Sequence, residues 1–522
     1  MSHIRVLMIN PNPRSMSLVQ PVVGLFAAIL EQNGIEMRFF DTTFYDVTDK
    51  YIDANKYMQD NMAVQSPDAR DLSSILEAPK PRIQLFTDFR KEIEDYQPHV
   101  LLVSAVESTV LLAREMLQSV RDLGVPTVLG GVFATYAPKL AISFDEVDVI
   151  CVGEAEDILV PLIKGMVERK DVSKLPGIWT KTKDGITQSP LASPVDLNKL
   201  PRFNAEIFED SRFYRAMGGQ VYRMFPIESH RGCPLVCTFC NSPVQNEMYK
   251  KETNAKYYRP KSVDQVMEDV RYVVEEKGAE YLFFWADNFL AYSKEETDEF
   301  CRQYSEFKIP FYAQSYPTTL NEYKIEKLSQ VGLHRLGMGF EHGNEKFRKD
   351  IIKRPYSNQK AIDQTTILKK YNFTYSLNNI VGFPTETPEL HMDTVRLNRL
   401  LKPHSASCST FTPFHGTPLR ALSLEKGYLK DPDLIAPTNT ERSILDMPQF
   451  TADQIYGKAR TFNLYLKFPE NRWQHIQKAE APTQEGNKIW HELKQEYKEK
   501  FDSEVPPVHT RYQVSSEGDS DQ

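Results

Sequence analysis

Three of the chain's six cysteines lie within the ten residues 231–240, which read RGCPLVCTFC. Their Cys-x3-Cys-x2-Cys spacing puts the thiols of Cys233, Cys237 and Cys240 on one tight loop, where they could share a single metal centre. Thiolate ligands select zinc or iron–sulfur centres over hard cations. Because such centres usually take four protein ligands, this site is one ligand short.

The loop has two simpler interpretations: a zinc knuckle with His230 as fourth ligand, or three cysteines that bind no metal. His230 lies at the junction of a strand-like segment and the loop, away from the C-x2-C…H-x3-H spacing of zinc sites, which weakens the first. The remaining cysteines, Cys151, Cys301 and Cys408, are isolated along the chain. We expect each of them to be a small buried apolar residue.

From about residue 224, strand-like segments alternate with helix-like ones, which predicts a partial or complete barrel of parallel strands. The strand candidates read MFPIES, EYLFFWAD, PFYAQS, HRLGMGFE, TYSLNNIVGF and SASCSTFTPF. Helices are predicted at about 263–277, 294–307, 322–331, 358–371 and 389–401. The cysteine loop follows the first strand and is therefore expected at the carboxyl end of the barrel, where enzymes of this architecture keep their active sites.

The first 195 residues or so alternate in the same way, which predicts a parallel, doubly wound sheet. Predicted strands cover 4–10, 36–41, 99–105, 126–131 and 147–154, and predicted helices include 17–32, 83–96 and 157–168. The stretch 43–91 exceeds a normal connection and is expected to carry helical structure. PGIWTKTKDGI predicts a hairpin, and the proline-punctuated SPVDLNKLPRFN predicts a linker.

Beyond about residue 430 the pattern is mainly helical, and the final VSSEGDSDQ is predicted to be disordered. The predicted architecture is α/β, in three parts. These are an N-terminal doubly wound, Rossmann-like domain (1–195), a partial (β/α)6 barrel (196–430) and a mainly helical C-terminal region (431–522).

The composition of the 522 residues, with 41% hydrophobic and 26% charged, is that of a globular protein. A net charge of -8 argues against a nucleic-acid surface built on bulk positive charge. No segment approaches the ~20 apolar residues of a membrane span, and the amino terminus lacks a signal-peptide pattern. The few clustered cysteines are unlike a disulfide framework, so we expect a cytoplasmic protein.

The barrel segment resembles the radical S-adenosylmethionine (SAM) superfamily over residues 220–425. That superfamily uses the Cys-x3-Cys-x2-Cys motif with an aromatic residue before the third cysteine, which is Phe239 here. The resemblance implies that Cys233, Cys237 and Cys240 hold a [4Fe–4S] cluster. The fourth iron is then left open for the amino and carboxylate groups of SAM.

Four more segments resemble motifs of the same superfamily, in the same order. WADNFLAY resembles its second-strand DDNF segment, GMGFEHGNEKFRKDIIKR its fourth-strand G-x-E-S-G segment with a later basic residue, and NNIVGFPTET its fifth-strand G-x-P-G-E-T turn. TPFHGTPL resembles the sixth-strand ending; His342, Thr385 and His415 depart from the family pattern. The SAM contacts so implied are Phe239, Asp287, Asn288, Glu341, Arg354, Gly382 and Pro384.

Structural interpretations of these residues stay open at this point. Asp287 and Asn288 could cap the following helix. Glu341 could be a strand-end carboxylate bonded by nearby amides. Arg354 could be an exposed arginine at a helix end.

In the first domain, LGGVFATYAP and VICVGEAED resemble the glycine-marked loops of cobalamin-binding domains fused ahead of radical SAM barrels. Doubly wound sheets bind ligands beyond the carboxyl ends of their strands, and glycines such as Gly130 and Gly131 let the backbone approach a bulky ligand. The alternative is a flavodoxin-like domain that binds nothing. The implied cobalamin contacts are Asn10, Pro11, Ser104, Ala105, Val106, Glu107, Gly130, Gly131, Thr135, Gly153 and Glu154.

The Asp-x-His-x-x-Gly stretch with which many cobalamin domains supply a histidine to cobalt is missing from this sequence. The two histidines before residue 200, His3 and His99, come at the start of predicted strands, opposite the crevice. A bound cobalamin is therefore expected to lack a protein histidine on its lower face, with the loop SAVES (104–108) beneath the cobalt. This suits transfer of a methyl group in radical form, as in the family's methyltransferases.

The resemblance implies a cobalamin-dependent radical SAM methyltransferase that acts on an unactivated carbon, with a [4Fe–4S] cluster, SAM and methylcobalamin as cofactors. In this family an electron cleaves SAM to a 5′-deoxyadenosyl radical, and the resulting substrate radical takes the methyl group from methylcobalamin. An external one-electron donor such as flavodoxin or ferredoxin is implied as a partner. The substrate, a small molecule or peptide, must lie between the barrel mouth and the first-domain crevice, under the helical tail.

Two rival functions remain. One is a cobalamin-dependent radical SAM cyclase or rearrangement enzyme without methyl transfer, which the motifs do not separate from a methyltransferase. The other is a non-catalytic cobalamin or SAM sensor, which has no need of a reducible cluster. Methylthiotransferases use additional amino-terminal cysteines, and none precedes Cys151. Lipid, tetrapyrrole, peptide and antibiotic-precursor substrates all stay open.

Overall fold

The computed structural model describes residues 3–13, 18–51, 54–63, 75, 77–183, 185–436 and 442–501. These residues form two seven-stranded sheets and two two-stranded ribbons, with helices packed around them. The predicted disordered tail lies outside the described residues. Within the described part of the chain, no helix combines the length and the apolar character that crossing a membrane requires.

The first sheet has the order β2-β1-β5-β6-β7-β8-β9, and its first five strands are parallel. The strands of this half are β1 Ile4–Asn10, β2 Ile35–Asp41, β3 Tyr45–Asp46, β4 Lys80–Pro81, β5 Val100–Ser104, β6 Thr127–Gly130, β7 Val149–Cys151, β8 Ile178–Thr182 and β9 Gly185–Gln188. Its helices are Pro21–Gln32, Ala54–Asp60, Arg82–Tyr96, Val110–Ser119, Val132–Tyr136, Pro138–Ser143 and Leu159–Val167. The predicted doubly wound fold is confirmed, and the predicted hairpin β8–β9 extends it as an antiparallel edge.

The strand order reverses between β1 and β5, since β2 lies on one side of β1 and β5 on the other. In doubly wound sheets, such a switch point opens a crevice beyond the carboxyl ends of the two strands. Asn10 and Ser104 end these strands and therefore stand at the mouth of the crevice.

The second sheet has the order β10-β11-β14-β15-β16-β17-β18, and its last six strands are parallel. Its half contains β10 Tyr214–Met217, β11 Gln220–Glu228, β12 His230–Arg231, β13 Arg259–Pro260, β14 Tyr281–Trp285, β15 Phe311–Ser315, β16 Leu333–Glu341, β17 Thr374–Val381 and β18 Ser405–Thr410. The helices are Asn241–Thr253, Val263–Arg271, Lys294–Tyr304, Glu322–Ser329, Glu345–Phe347, Asn358–Lys370 and Pro388–Leu401. The predicted partial (β/α)6 barrel is confirmed. The predicted boundary at residue 195 falls between β9 and β10.

The alternation of β17 explains how polar side chains reach the barrel interior. Tyr375, Leu377 and Val381 are buried toward the surrounding helices, whereas Asn378 lines the interior cavity. Successive side chains of a strand point to opposite faces, so Asn378 faces the interior whereas the neighbouring Asn379 is buried on the helix-facing side, where its amide donates to the Asn398 side chain at 3.2 Å.

The C-terminal region is helical, as predicted, and packs over the ends of β17 and β18. The helix Ala452–Lys467 begins with a capping box of Thr451 and Gln454. Asn463, on this helix, donates to the carbonyl of Ala406 at 3.0 Å and to that of Asn61 at 3.0 Å. The tail is therefore bonded to both halves of the molecule. Its helices are Ala452–Lys467, Trp473–Glu480 and Gln484–Phe501, and the helix Pro418–Glu425 precedes it.

The helix Asn241–Thr253, which the sequence did not predict, begins directly after Cys240. Tyr249 is its only buried residue, so NSPVQNEMYKKET carries no apolar periodicity that could reveal a helix. The Tyr249 hydroxyl accepts a hydrogen bond from the backbone amide of Glu154 at 2.9 Å. This helix therefore connects the cysteine loop to the first domain.

Gly153 allows Tyr249 to reach this position. Its φ is +85°, and a Cβ there would lie 2.5 Å from the Tyr249 hydroxyl. Gly153→Ala should lower the free energy of unfolding by about 3 kcal/mol, because it adds backbone strain and a steric clash. Calorimetry of the unfolding transition measures the loss.

Gly34→Ala is the matched control, because Gly34 has a φ of +68° but open space around a Cβ. It should cost about 1 kcal/mol, from backbone strain alone. Equal losses in the two variants would contradict the packing role of Gly153.

Candidate functional site

A cavity of about 180 Å³ lies at the carboxyl end of the second sheet, and all three cysteines of the loop line it. β15 and β17 contribute Gln314 and Asn378 to its wall. Four of the predicted SAM contacts also line this cavity: Phe239, Asp287, Glu341 and Arg354. Asn288, Gly382 and Pro384 are not among the lining residues.

The thiols of the loop are free, and those of Cys233 and Cys237 are buried. Burial raises the pKa of Cys233 to about 12 and also raises that of Cys240, so these thiols need a bound metal to ionise at neutral pH. In the described residues, no three His, Cys, Asp or Glu side chains stand in the arrangement of a single bound ion. In a [4Fe–4S] cluster different cysteines bind different irons, so thiols spread around a cavity fit a cluster better than a zinc ion.

His230 does not share this cavity. It is 3% exposed, its Nδ1 lies 3.0 Å from the Ser229 hydroxyl, and its ring contacts Tyr292 at 4.2 Å between centroids. Burial lowers the pKa of His230 to about 4, so the ring is neutral at pH 7. Because His230 lies outside the cavity that the three cysteines line, the zinc-knuckle interpretation is not supported.

Arg354 connects the cysteine loop to the end of β16. Its guanidinium lies 3.0 Å from the Glu341 carboxylate, and its Nε donates to the Cys237 sulfur at 3.0 Å. Arg354 is 9% exposed, which excludes an exposed helix-end arginine. Burial raises the pKa of Glu341 although Arg354 opposes this effect. Glu341 also adopts a φ of +65°, the left-handed region that non-glycine residues rarely occupy.

Asp287 and Asn288 follow β14 but do different things. Asp287 faces the cavity, and its carboxylate accepts a hydrogen bond from the Ser242 hydroxyl at 2.8 Å. Asn288 is 1% exposed, and its side-chain oxygen accepts from the Thr319 hydroxyl at 2.9 Å. Asn288 precedes the 3-10 turn Phe289–Ala291 without capping it through its side chain, and Ser293 caps the following α-helix, so the capping interpretation is not supported.

Glu386, which the sequence analysis did not select, holds the turn after β17. It is fully buried, and its carboxylate accepts from the backbone amides of Gly382 at 2.6 Å and Phe383 at 3.0 Å. His342, which replaces the family's serine, places its Nε2 3.1 Å from the other carboxylate oxygen. The sequence feature that could have identified Glu386 is the family's G-x-P-G-E-T pattern, in which this residue is the glutamate.

The conformation of this turn explains two further residues. A Cβ on Gly382 would lie 2.9 Å from Ile455, so this glycine makes room for the helix Ala452–Lys467. Thr385 has a φ of +70°, which is the conformation that the family's glycine would adopt without strain.

A second cavity, of about 490 Å³, lies between the crevice of the first domain and the barrel half, from which Glu228, Arg231 and Trp285 also line it. Eight predicted cobalamin contacts line it: Asn10, Ser104, Val106, Gly130, Gly131, Thr135, Gly153 and Glu154. Pro11, Ala105 and Glu107 are not among the lining residues, and no histidine is, within the described part of the chain. His99 lies at the opposite end of the sheet, where its Nδ1 accepts from the Arg5 amide at 3.1 Å.

Gly130 and Gly131, at the end of β6, differ in the space that a Cβ would have. A Cβ on Gly131, whose φ is +89°, would lie 2.8 Å from the Ala105 carbonyl oxygen, so this glycine lets two loops of the protein approach each other. A Cβ on Gly130 would meet no atom closer than 3.8 Å. Both glycines line the crevice cavity, so the approach of a ligand stays a prediction for each, and the close approach of the two loops is a second reason for Gly131.

Two of the predicted cobalamin contacts bond to other parts of the protein, although Glu154 also lines the crevice cavity. The Glu107 carboxylate accepts from the backbone amides of His415 at 2.8 Å and Ala436 at 3.2 Å. The Glu154 carboxylate accepts from Arg231 at 2.9 Å and also from Arg259. Both carboxylates therefore hold the first domain to the barrel half.

The family models agree with this arrangement of two cavities. Residues 68–163 match the model of the B12 binding domain, and residues 227–397 match that of the Radical SAM superfamily. The chain joins a B12-binding domain to a radical SAM domain. The predicted family is confirmed, and with it the cofactors of this radical SAM protein, which are a [4Fe–4S] cluster, SAM and cobalamin.

Three known proteins illustrate the similarity. The chain is 24% identical over 390 residues to an uncharacterized methyltransferase of Pyrococcus horikoshii, covering 73% of this chain and 81% of the relative. It is 23% identical over 343 residues to the anaerobic magnesium-protoporphyrin IX monomethyl ester cyclase of Cereibacter sphaeroides, covering 63% of this chain and 54% of that relative. The structure of the cobalamin-dependent SAM radical enzyme OxsB superposes with a TM-score of 0.62 at 13% identity, covering 95% of this chain and 71% of OxsB.

Replacing Glu386 by glutamine should destabilise this radical SAM protein in a pH-dependent way. Burial alone would raise the pKa of Glu386, but the hydrogen bond from His342 and the neighbouring His391 ring outweigh it and bring the pKa to about 2, against an ordinary value of 4.5. The ionised carboxylate therefore stabilises the fold above pH 4.5, and this stabilisation is lost as the pH falls toward 2.

At pH 7, Glu386→Gln should lower the free energy of unfolding by about 2 kcal/mol. At pH 4 the difference in the free energy of unfolding between wild type and variant should narrow by about 0.8 kcal/mol. The reason is that Glu386 of the unfolded wild type binds a proton at this pH, which the variant's glutamine does not. Denaturant titrations at both pH values measure this, with the exposed Glu425→Gln as a control. A difference in the free energy of unfolding that is the same at both pH values would contradict the claim that Glu386 is buried and ionised.

Proposed function

We propose that this radical SAM protein is a methyltransferase that moves a methyl group onto an unactivated carbon. The observation that supports this most is that one helix lines both cavities. Ser242 and Pro243 line the cysteine cavity, and Gln245, less than one helical turn further on, lines the crevice cavity. A rise of 1.5 Å per residue separates these positions by about 5 Å along the helix, so the two cofactor sites adjoin.

In this proposal Cys233, Cys237 and Cys240 hold the cluster, and Asp287, Glu341 and Arg354 hold SAM beside it. The two carboxylates are suited to the amino group of SAM, and the guanidinium to its carboxylate. The N–H that Arg354 directs at the Cys237 sulfur also stabilises negative charge on that ligand. When bound, the cluster and SAM supply the radical and cobalamin supplies the methyl group.

The first domain keeps the second cofactor at a fixed place. The Tyr136 hydroxyl donates to Gln245 at 2.7 Å, and Glu107 and Glu154 bond to the barrel half as described. Fixed separation matters because a radical on the substrate must meet the methyl group within contact distance. The substrate, a small molecule or peptide, then lies where the two cavities meet.

A cyclase or rearrangement enzyme is the second candidate, since one relative is named as a cyclase. The methyltransferase is preferred because the relative named as such aligns over 73% of this chain and 81% of its own length, against 63% and 54% for the cyclase. Both candidates need an external one-electron donor. A cytoplasmic setting suits either, because free thiols persist in reducing compartments.

The proposal is tested by anaerobic reconstitution with iron, sulfide and cobalamin, followed by reduction in the presence of SAM labelled in its methyl group. The wild type should release 5′-deoxyadenosine, and labelled methyl should collect on cobalamin. Radical cleavage without labelled methylcobalamin would favour the cyclase. If 5′-deoxyadenosine never forms, radical chemistry is wrong.

Cysteine variants test the ligand assignment directly. Cys240→Ala should lower bound iron and abolish 5′-deoxyadenosine formation, whereas Cys301→Ala, a buried cysteine remote from the cavity, should keep both. Iron analysis and visible absorbance measure the cluster independently of turnover. Equal iron contents in the two variants would overturn the assignment of Cys240.

Bound cobalamin should have no protein histidine on cobalt. Electron paramagnetic resonance of bound cob(II)alamin should be the same for protein grown on ordinary histidine and on ¹⁵N-histidine, because no histidine was found along the crevice in the described residues. The free cofactor with its own nucleotide base serves as the reference spectrum. A splitting that changes with the histidine isotope would contradict this prediction.

A further inference from the structure

Arg335, near the start of β16, is a buried arginine without a counter-charge. Alternate residues of a strand share a face, so its side chain points to the same side as Gly337 and Gly339, which line the cysteine cavity. Arg335 is 9% exposed. In the part of the chain that the structure describes, it has neither an ion pair nor a hydrogen bond.

The guanidinium of Arg335 lies at the amino end of the barrel. A Cβ on Gly218, in the turn between β10 and β11, would lie 2.7 Å from its Nη1. β14 and β15 lie between β11 and β16 in the sheet, so the side chain crosses the barrel lumen. The titratable groups that act on it are the hydroxyls of Tyr222, Tyr281 and Tyr312, with no carboxylate among them.

The carboxylates of the adjoining strands have partners of their own. Glu228, at the end of β11, accepts from the Arg231 guanidinium at 3.1 and 3.0 Å. Glu280, just before β14, accepts from the Arg223 backbone amide at 2.8 Å. A buried arginine without a counter-charge is costly to the fold. A ligand that brings a negative charge into the lumen would offset this cost.

Three aromatic side chains, Tyr312, Phe283 and Trp285, lead from Arg335 toward the two cavities and form what we call the aromatic row. Tyr312 pairs with Arg335 between β15 and β16, and its ring stacks on Phe283 at 4.7 Å between centroids. Phe283 contacts Trp285 at 6.1 Å, and Trp285, which is 37% exposed, lines the crevice cavity. Phe283 and Tyr312 are only half-buried, so the lumen has space beside the row.

The other end of the lumen is the cysteine cavity. Gly337 lines this cavity and, lacking a Cβ, leaves room for the Tyr312 hydroxyl. Gly339, four residues beyond Arg335 on β16, also lines it. At 3.3 Å per residue, the start of the lumen and the cysteine cavity are about 13 Å apart. A molecule that spans this distance would touch Arg335 at one end and the cofactor cavities at the other.

We infer that the substrate is an amphipathic acid, whose carboxylate binds Arg335 and whose apolar body lies along the aromatic row. The inference rests on the proposed function, in which the reacting carbon lies where the two cavities meet. A guanidinium donates two parallel hydrogen bonds to a carboxylate, and its single charge balances a carboxylate better than a phosphate dianion. Held in this way, the substrate presents a carbon about 13 Å from its acid group to the cofactors.

The test compares octanoate with octanol, two probes that share an apolar chain and differ in the acid group. Isothermal titration calorimetry uses protein reconstituted with iron and sulfide and loaded with cobalamin and SAM, so that the cofactor sites are not open to the probes. The wild type should bind octanoate about tenfold more tightly than octanol, because a charge-assisted hydrogen bond adds to the same apolar contacts. Arg335→Met should weaken octanoate binding about tenfold and leave octanol binding unchanged.

Thermal unfolding separates this role of Arg335 from a structural one. Arg335→Met should melt at the temperature of the wild type or a few degrees higher, because it removes a buried charge that has no partner. A lower melting temperature would show that the fold requires the charge and would overturn the inference. Equal octanoate affinities in the wild type and the variant would overturn it as well, as would a wild type that does not bind octanoate.

Arg302→Met is the matched control, because Arg302 is exposed on the helix Lys294–Tyr304 and the change in net charge is the same. It should bind octanoate as the wild type does. Arg335→Lys should keep part of the preference for octanoate, because it keeps the charge but loses the planar fork. If the wild type binds octanoate through Arg335 but forms no 5′-deoxyadenosine on reduction, the proposed function is overturned instead.

Discussion

Tyr249 packs into the space left by Gly153 and accepts a hydrogen bond from the backbone amide of Glu154. The helix that carries Tyr249 begins at the last cysteine of the loop, so a shift of the first domain would move the cysteine loop too. Close-packed interiors transmit such displacements because they have few voids to absorb them. The distance between the barrel cavity and the crevice is fixed by this contact, and chemistry that uses both cavities depends on it.

Buried carboxylates extend the same constraint around the site. Glu107 and Glu154 cross from the first domain to the barrel half, Glu386 locks the turn after β17, and Glu341 pairs with Arg354 beside the loop. A buried charge is costly unless it is paired and hydrogen-bonded, so each of these groups has a strict geometric requirement. The result is a rigid rim at the carboxyl ends of both sheets.

The agreement between sequence and structure follows the range of each interaction. The strands and most helices of both sheets match because alternating and helical apolar patterns are local signals. The sequence does not predict the helix Asn241–Thr253, because this helix buries one side chain, against a different domain. The role of Glu386 is not evident from the sequence for a similar reason. Its partners, His342 and two backbone amides, come together only when the ends of β16 and β17 lie side by side.

The sequence by itself determined the family, the order of the two domains and the cysteines available to a cluster, because spacing on one loop and the order of motifs are properties of the chain. Only the tertiary structure decided which residues share a cavity. It buried Arg354 against Cys237, removed Asn288 from the cavity wall and bonded Glu107 to the backbone amides of His415 and Ala436. These outcomes depend on pairs far apart in sequence, whose proximity follows from how two sheets and a helix pack together.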